Sequence, residues 1–364
     1  MSRPTQITIH LAALKHNLQQ VRKMAPHSSV IAMVKSDAYG HGLTRVATAL
    51  TDVEALGVAC SEEGLMLRQA GVKNPIVLME GLFTANELIN AVAYDFVIVV
   101  HHVSQVEMLE KNPNQGSIPI WLKIDTGMHR LGFEPGQVQD IYSRLMNCPT
   151  VKKPIGLMTH FAQSDSPDRV VTTQQIEIFN EVTKMLSGPR SLANSGGIIA
   201  WPSTHADWVR PGIMLYGASP FADQNGIKHQ LQPVMTLSSE LIAIHQLAKG
   251  ARVGYGGTWT CPEDMRVGVV GIGYGDGYPA HAQNGTPVLV NNRPCSLIGR
   301  VSMDMMTVDL RTQLQAKIGD PVLLWGPGLP VEVVAKHSNT IGYELLTRIT
   351  QRVRIVCEPF KAHA

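Results

Sequence analysis

The sequence predicts an α/β protein: a (β/α)8 (TIM) barrel followed by a mostly β C-terminal domain. Three observations carry that reading. From residue 30 onward, short apolar runs alternate with helix-length amphipathic stretches, the pattern of a parallel sheet crossed by helices. There are eight such runs, the number that closes a barrel. After residue 230 the texture changes to strand-like runs separated only by turn residues.

Taken in chain order, residues 6–11 alternate apolar and polar with period two, as a half-buried strand does. Because this run precedes the barrel, it is expected to return and pair with the C-terminal domain. The barrel strands are expected over 30–34, 55–59, 76–79, 96–100, 118–124, 155–159, 191–193 and 208–209. Helices are expected over 61–70, 85–93, 104–111, 137–146 and 173–186; in the last, Ile176, Phe179, Val182 and Leu186 recur at helical spacing. The same pattern also suits an open, doubly wound sheet, so closure is an expectation. Beyond residue 230, strands are expected over 234–244, 265–270, 287–290, 305–310, 321–325 and 352–357, with turns at Asn291-Asn292 and Gly326-Pro327-Gly328. The domains are therefore 1–230 and 231–364, with no long linker, internal repeat or low-complexity segment between them.

Bulk composition narrows the function classes. A chain of 364 residues exceeds what one core usually supports, and 44% hydrophobic with 16% charged residues describes a globular protein. A net charge of +2 with no basic stripe argues against a nucleic-acid partner. The five cysteines (Cys60, Cys148, Cys261, Cys295, Cys357) show no C-x-x-C spacing, so neither a zinc site nor a disulfide framework is indicated. Residues 1–17 lack an apolar stretch of signal-peptide length, and the purest apolar run, 96–100, is too short to span a bilayer. A cytoplasmic protein with no membrane partner is expected.

Catalytic groups of a barrel sit where its strands end. The first barrel strand ends at Val34-Lys35, followed by Ser-Asp-Ala-Tyr-Gly-His-Gly. A lysine there either reaches solvent or is desolvated; in the second case it loses its charge readily and forms a Schiff base. Later strand ends offer Lys123, Asp125 and Arg130, then His160, then Asn194-Ser195-Gly196-Gly197, then Arg210-Pro211-Gly212-Ile213. Loops after the seventh and eighth strands commonly hold phosphate, and glycine-rich backbone suits an anion. A phosphorylated ligand beside Lys35 follows.

The stretch 32–42, Ala-Met-Val-Lys-Ser-Asp-Ala-Tyr-Gly-His-Gly, resembles the pyridoxal-phosphate-lysine signature of the alanine racemase family. The resemblance continues through 123–132, 160–161, 194–197, 208–217, 253–257, 271–277, 302–304 and 342–346, in order and across both domains. It implies that Lys35 carries pyridoxal 5'-phosphate as a Schiff base, and that Tyr39, Ser195, Gly212, Ile213 and Tyr343 bind the phosphate. Arg210 would face the pyridine nitrogen and Arg130 the ring's phenolic oxygen. Tyr255 would be the second catalytic group, Met303 would lie near the substrate carboxylate, and Tyr274 would line the approach to the site. His160, linked to Arg210, either tunes Tyr255 or is a satisfied core histidine. Lys123 either pairs with a neighbour such as Asp125 or is carbamylated, as in many members of the family. The family is homodimeric, Tyr255 completing the partner's site, and its substrate is a small amino acid. Ser36-Asp37 departs from the family's usual Ala-Asn, adding a carboxylate close to Lys35.

Two other readings compete. Ala193-Asn194-Ser195-Gly196-Gly197 approaches a hydrolase nucleophile elbow, with Asp304 and His337 following in triad order, although its first glycine is missing. Decarboxylases of basic amino acids, and racemases of serine or lysine, share the barrel-plus-β architecture; the Tyr255 and Arg210 pairing favours racemisation. A cofactor carrier consisting of a barrel alone would leave the β domain without a role.

Overall fold

A parallel sheet covered on both faces has no polar side, so its strands are continuous apolar runs. The computed structural model describes residues 3–358 and bears out the expected fold class. After β1 (Gln6–His10) come eight parallel strands: β2 (Ser29–Met33), β3 (Ala55–Val58), β4 (Ile76–Leu78), β5 (Phe96–Val100), β6 (Ile118–Lys123), β7 (Val151–Met158), β8 (Arg190–Ser191) and β9 (Trp208–Val209). They pair in chain order, and β9 returns to β2 through Ser29↔Trp208 and Val30↔Val209. That last pairing closes the barrel and overturns the open-sheet alternative.

The barrel belongs to a compact unit of residues 18–38 and 42–215. Every residue of β3 and β4 is buried, and β6 is buried but for Pro119. Gly156 in β7 shows how tightly the interior is filled: a Cβ there would lie 2.4 Å from Trp121. Around the outside, the helix Val138–Asn147 buries Val138, Ile141, Tyr142 and Leu145, one face at a 3.6-residue period. Two strands differ from their sequence expectation for local reasons. β7 starts at Val151, before the expected 155, because exposed Lys152 and Lys153 hide its beginning. β8 stops at Ser191, short of the expected 193, because the Leu192 and Ala193 carbonyls accept from Arg210.

The second unit comprises residues 3–17, 39–41 and 216–358 of the described chain. It contains β10 (Met235–Leu247), β11 (Arg252–Val253), β12 (Trp259–Thr260), β13 (Met265–Val270), β14 (Pro287–Val290), β15 (Arg293–Ile298), β16 (Met306–Asp309), β17 (Pro321–Trp325) and β18 (Arg354–Glu358). Long β10 pairs with both β13 and β17, so the order β10-β13-β16-β15-β14-β17 returns on itself, antiparallel throughout. β1 pairs antiparallel with β10 and parallel with β18. Asn291 and Asn292 turn β14 into β15 with φ of 51° and 61°, the left-handed pair that a two-residue hairpin requires. Among the described residues, no helix is long and apolar enough to cross a membrane, and no cluster of His, Cys, Asp or Glu is arranged to hold a metal ion. All five cysteines are free thiols.

Candidate active site

Strand ends of the barrel unit bring a set of cations within electrostatic reach of one another. Lys35 follows β2, Lys123 ends β6, Arg130 lies in the loop beyond it, and Arg210 follows β9. Burial, then the positive charge of Arg130, lowers the proton affinity of Lys35, while Glu80 and Glu63 oppose the shift. Lys123 is 6% exposed, and burial, Arg210, Arg130 and Lys35 bring its pKa down to about 8. Asp125 opposes that shift only weakly and forms no ion pair with Lys123. Its Oδ1 instead accepts from the N–H groups of Gly127, Met128 and His129 at 2.9–3.0 Å.

Arg210 is 2% exposed, and desolvation brings it down to about 9, so it remains a cation at neutral pH. Its Nη1 donates to Ser191 Oγ at 2.6 Å, and its Nη2 donates to the carbonyls of Thr159 and Leu192 and, at 3.5 Å, to His160 Nδ1. Nε donates to no described residue. His160 is held well below its ordinary pKa by burial and the surrounding cations. A neutral histidine whose Nδ1 accepts from a guanidinium carries its proton on Nε2, and therefore presents a donor on that side.

The loops after β8 and β9 meet at Ser195. Its Oγ accepts from the Gly212 N–H at 3.0 Å and from the Met214 N–H at 3.4 Å, with Ile213 between them. The hydroxyl proton stays available to an anion. The loops also dock at backbone level, Arg210 N on Ala193 O at 2.9 Å and Met33 N on Pro211 O at 3.0 Å.

The turn after Lys35 is left-handed. Ser36, Asp37, Ala38 and Tyr39 have φ of 55°, 52°, 53° and 55°. Such a conformation costs about 1–2 kcal/mol per residue for an L-amino acid, so surrounding bonds must impose it. Ala38 N donates to Val34 O at 2.8 Å, Gly42 N to Asp37 O at 2.9 Å, and Leu43 N to Asp37 Oδ1 at 2.6 Å. Asp37, the departure from the family pattern, thus spends a carboxylate oxygen on the exit of the turn.

The remaining expected residues lie in the second unit. Tyr39 stacks on Tyr216 at 4.7 Å between ring centroids and lies 6.1 Å from Tyr343. Desolvation pushes the Tyr39 phenol up to about 12, so it keeps its proton at neutral pH. Tyr255 sits in the turn between β11 and β12, flanked by Gly254 and Gly256 at φ of 74° and 73°, and is 70% exposed. Tyr274 and Met303 are neighbours: Tyr274 N donates to Ser302 O at 3.0 Å and Gly275 N to Met303 O at 2.9 Å.

Beneath these two loops lies an ionic network absent from the sequence reading. Asp276 is fully buried; its Oδ2 accepts from Arg3 Nη2 at 2.7 Å and from Gly273 N at 3.0 Å, and its Oδ1 lies 3.4 Å from Arg352 Nε. Arg3 and Arg352 both pair with Asp304 as well. Replacing Asp276 by asparagine leaves two arginines short of a counter-charge and is expected to cost about 3 kcal/mol. A thermal scan should show the melting temperature fall by several degrees, whereas an unchanged one would show the network to be dispensable.

The hydrolase reading does not survive. Asp304 pairs with arginines, His337 Nδ1 bonds to Val333 O at 2.9 Å, and no hydrogen bond joins the two among the described residues. Sequence reasoning also passed over Glu63, whose Oε1 accepts from Ser36 N at 2.7 Å, and Tyr216, because an acidic residue in a first helical turn and an apolar-run tyrosine look ordinary.

Comparison with known proteins identifies the family. Residues 9–220 match the family model for the alanine racemase N-terminal domain, and residues 234–357 that for the C-terminal domain. An alanine racemase of Coxiella burnetii (strain CbuG_Q212) is 51% identical over 361 residues, covering 98% of this chain and 99% of that protein. The biosynthetic alanine racemase of Escherichia coli K12 is 49% identical, over 95% of this chain and 97% of that protein. Among solved structures, biosynthetic alanine racemase from Pseudomonas aeruginosa superposes with a TM-score of 0.95 at 42% identity, covering 98% of this chain and 100% of that one. A Bacillus anthracis alanine racemase with bound L-Ala-P has a TM-score of 0.85 at 27% identity, covering 99% and 96%. The chain belongs to the alanine racemase family.

Proposed function

We propose that this chain is a cytoplasmic isomerase that interconverts L- and D-alanine, with pyridoxal 5'-phosphate bound through Lys35 and with Lys35 and Tyr255 as its two acid/base groups. The observation that carries the reading is the cation set around Lys35, of which Lys123 and Arg210 are buried, in a chain whose relatives, at about half identity over nearly their full length, are alanine racemases. The residues fit the cofactor. The positive charges of Arg210, Arg130 and Lys35 lower the proton affinity of Lys123, and that of Arg130 lowers the proton affinity of Lys35, so the cation set suits an anion; Ser195 has a hydroxyl proton to give, and Tyr39 stays protonated. Ser195, Gly212 and Ile213, with Tyr39 and Tyr343, would hold the phosphate. Arg130 would approach the phenolic oxygen, and Met303 the substrate carboxylate.

When bound, the conjugated ring takes up the electron pair left by the departing α-proton. Racemisation then needs one proton removed on one side of the carbon and another returned on the opposite side. A partly desolvated amine at Lys35 serves the D-alanine side, and the Tyr255 phenol the L-alanine side. The neutral His160, with its proton on Nε2, is the donor suited to steady a phenolate. Exposed Tyr255, Tyr274 and Met303 suit a homodimer in which Tyr255 completes the second copy's site.

Arg210 governs reaction outcome. A guanidinium does not hand over its proton at neutral pH, so a pyridine nitrogen held by Arg210 would stay unprotonated and the electron sink would stay weak. Arg210→Glu is expected to protonate that nitrogen and to raise transamination by-products; an unchanged ratio of keto acid to racemised alanine would refute this role.

Lys123, with a pKa near 8, has enough neutral amine to add CO2, forming an N–C bond and releasing a proton. The carbamate would place an anion between Arg130 and Arg210. Between about 8 and 10.5 the unfolded chain binds more protons at this lysine than the folded chain does, so stability without carbamate rises with pH across that window. Thermal scans in CO2-free buffer should show that rise, bicarbonate should flatten it, and carbon-13 bicarbonate should give a carbamate resonance that Lys123→Met lacks. Absence of the resonance in the wild type would leave Lys123 as a neutral amine.

A chirality-resolved assay on alanine, serine and lysine tests the whole reading. Alanine should be turned over fastest, together with a visible absorbance band removed by borohydride. Failure to racemise alanine would overturn it.

A further inference from the structure

We propose that Glu63 is the positioning residue of Lys35: one carboxylate staples the N–H of Ser36, the residue after the lysine, to the N–H of Ala59 at the end of the neighbouring strand. Oε1 accepts from Ser36 N and Oε2 from Ala59 N, each at 2.7 Å. The inference rests on the reading of Lys35 given above and adds a residue to it.

The alternative is that Glu63 merely caps its own helix, Ser61–Gln69. Two other helices have a side chain with the same backward reach. Glu87 accepts from Phe83 N at 2.6 Å, and Gln105 accepts from His101 N at 2.9 Å, each reaching back four residues as Glu63 does to Ala59. Their remaining atoms serve other groups, Glu87 Oε1 accepting from the Ser61 hydroxyl at 2.7 Å and Gln105 Nε2 donating to the Glu80 and Leu82 carbonyls at 3.2 Å, whereas the other oxygen of Glu63 takes a backbone N–H of the turn after Lys35. It crosses from the helix after β3 to the turn after β2 and holds the first residue of the left-handed turn, Ser36 at φ 55°. Four non-glycine residues in that conformation do not hold themselves, and Ser36 N is where the strained run begins. Fixing this N–H fixes the direction in which the Lys35 side chain leaves the strand.

The staple also places a negative charge near the lysine. The groups acting on Lys35 are Arg130, which disfavours its protonated form, and Glu80 and Glu63, which favour it; Lys123 and His160 in turn feel the lysine's charge. Removing the Glu63 charge therefore weakens proton binding at Lys35, an effect that a cap remote from Lys35 does not produce.

Glu63→Gln, Glu63→Asp and Glu87→Gln, each purified as the cofactor-bound enzyme, separate the possibilities. In Glu63→Gln the pH midpoint of the visible absorbance band should move to lower pH, cofactor release should quicken about tenfold for one lost charge-assisted bond, and the Ser36 amide should exchange with deuterated solvent faster. Glu63→Asp keeps the charge but is too short to span both N–H groups. It should release cofactor faster with little movement of the midpoint, and it serves if the glutamine variant folds poorly. Glu87→Gln should leave midpoint and release rate as in the wild type. An unmoved midpoint in Glu63→Gln, or an equal shift in Glu87→Gln, overturns the proposal. A wild-type enzyme with no borohydride-sensitive band would instead bring down the reading of Lys35, with which this one falls, whatever the Ser36 amide shows.

Discussion

Lys35→Ala is expected to abolish racemisation and the borohydride-sensitive visible band while leaving the fold intact. On the proposed reading the amine supplies both the covalent link and one of the two proton transfers, so the loss should exceed the ~10²–10⁴-fold that a general acid/base alone contributes. Stability should move the other way. Lys35 is one of several cations crowded at the barrel's strand ends, and it depresses proton binding at both Lys123 and His160. Deleting it removes that repulsion, so both groups should titrate at higher pH and the melting temperature of the cofactor-free protein should hold or rise. The phosphate contacts proposed for Ser195 and Tyr39 would not be touched, so the variant should still bind pyridoxal phosphate reversibly. An exogenous small amine that restores part of the turnover would support the assignment, whereas a variant that melts well below the wild type would recast Lys35 as structural. Residual turnover near the wild-type rate would refute its catalytic role altogether.

The barrel was legible because its chemistry is periodic. Strands such as β3, β4 and β5 are apolar almost throughout, and the helix Val138–Asn147 repeats its buried residues at helical spacing. The ends of elements were less legible. β7 begins among exposed lysines, and β8 is cut short by a side chain, Arg210, from another loop. β15 is broken by Arg293, Pro294 and Ser296, so nothing in its pattern predicts a strand.

Of the residues proposed for the site, Lys35 and Lys123 are singled out by position, where a strand ends, and Tyr255 only by resemblance. The left-handed turn had no local signal, because Ser36-Asp37-Ala38-Tyr39 contains no glycine and its conformation is imposed by Glu63, by Asp37 with Leu43 and by the docking of backbone. Asp276 was hidden for a related reason: its partners, Arg3 and Arg352, come from opposite ends of the chain and meet only in the folded sheet.

Tyr255→Phe is expected to cut racemisation by about 10²–10⁴-fold in both directions, with cofactor binding preserved. The symmetry of that loss carries no information about which face Tyr255 serves. Enantiomers have equal free energies in water, so the equilibrium constant is unity, and steady-state kcat/KM for the two directions must remain equal whatever residue is changed. The faces separate only in hydrogen exchange. With Lys35 serving the D-alanine side, D-alanine incubated in deuterated water with Tyr255→Phe should acquire deuterium at its α-carbon and remain D-alanine. L-alanine should neither exchange nor invert at an appreciable rate. The reverse pattern, exchange into L-alanine with D-alanine inert, would interchange the two roles. Exchange into both enantiomers at wild-type rates would remove Tyr255 from proton transfer and leave its exposed ring, 70% accessible in the single chain, as a surface for the second copy alone.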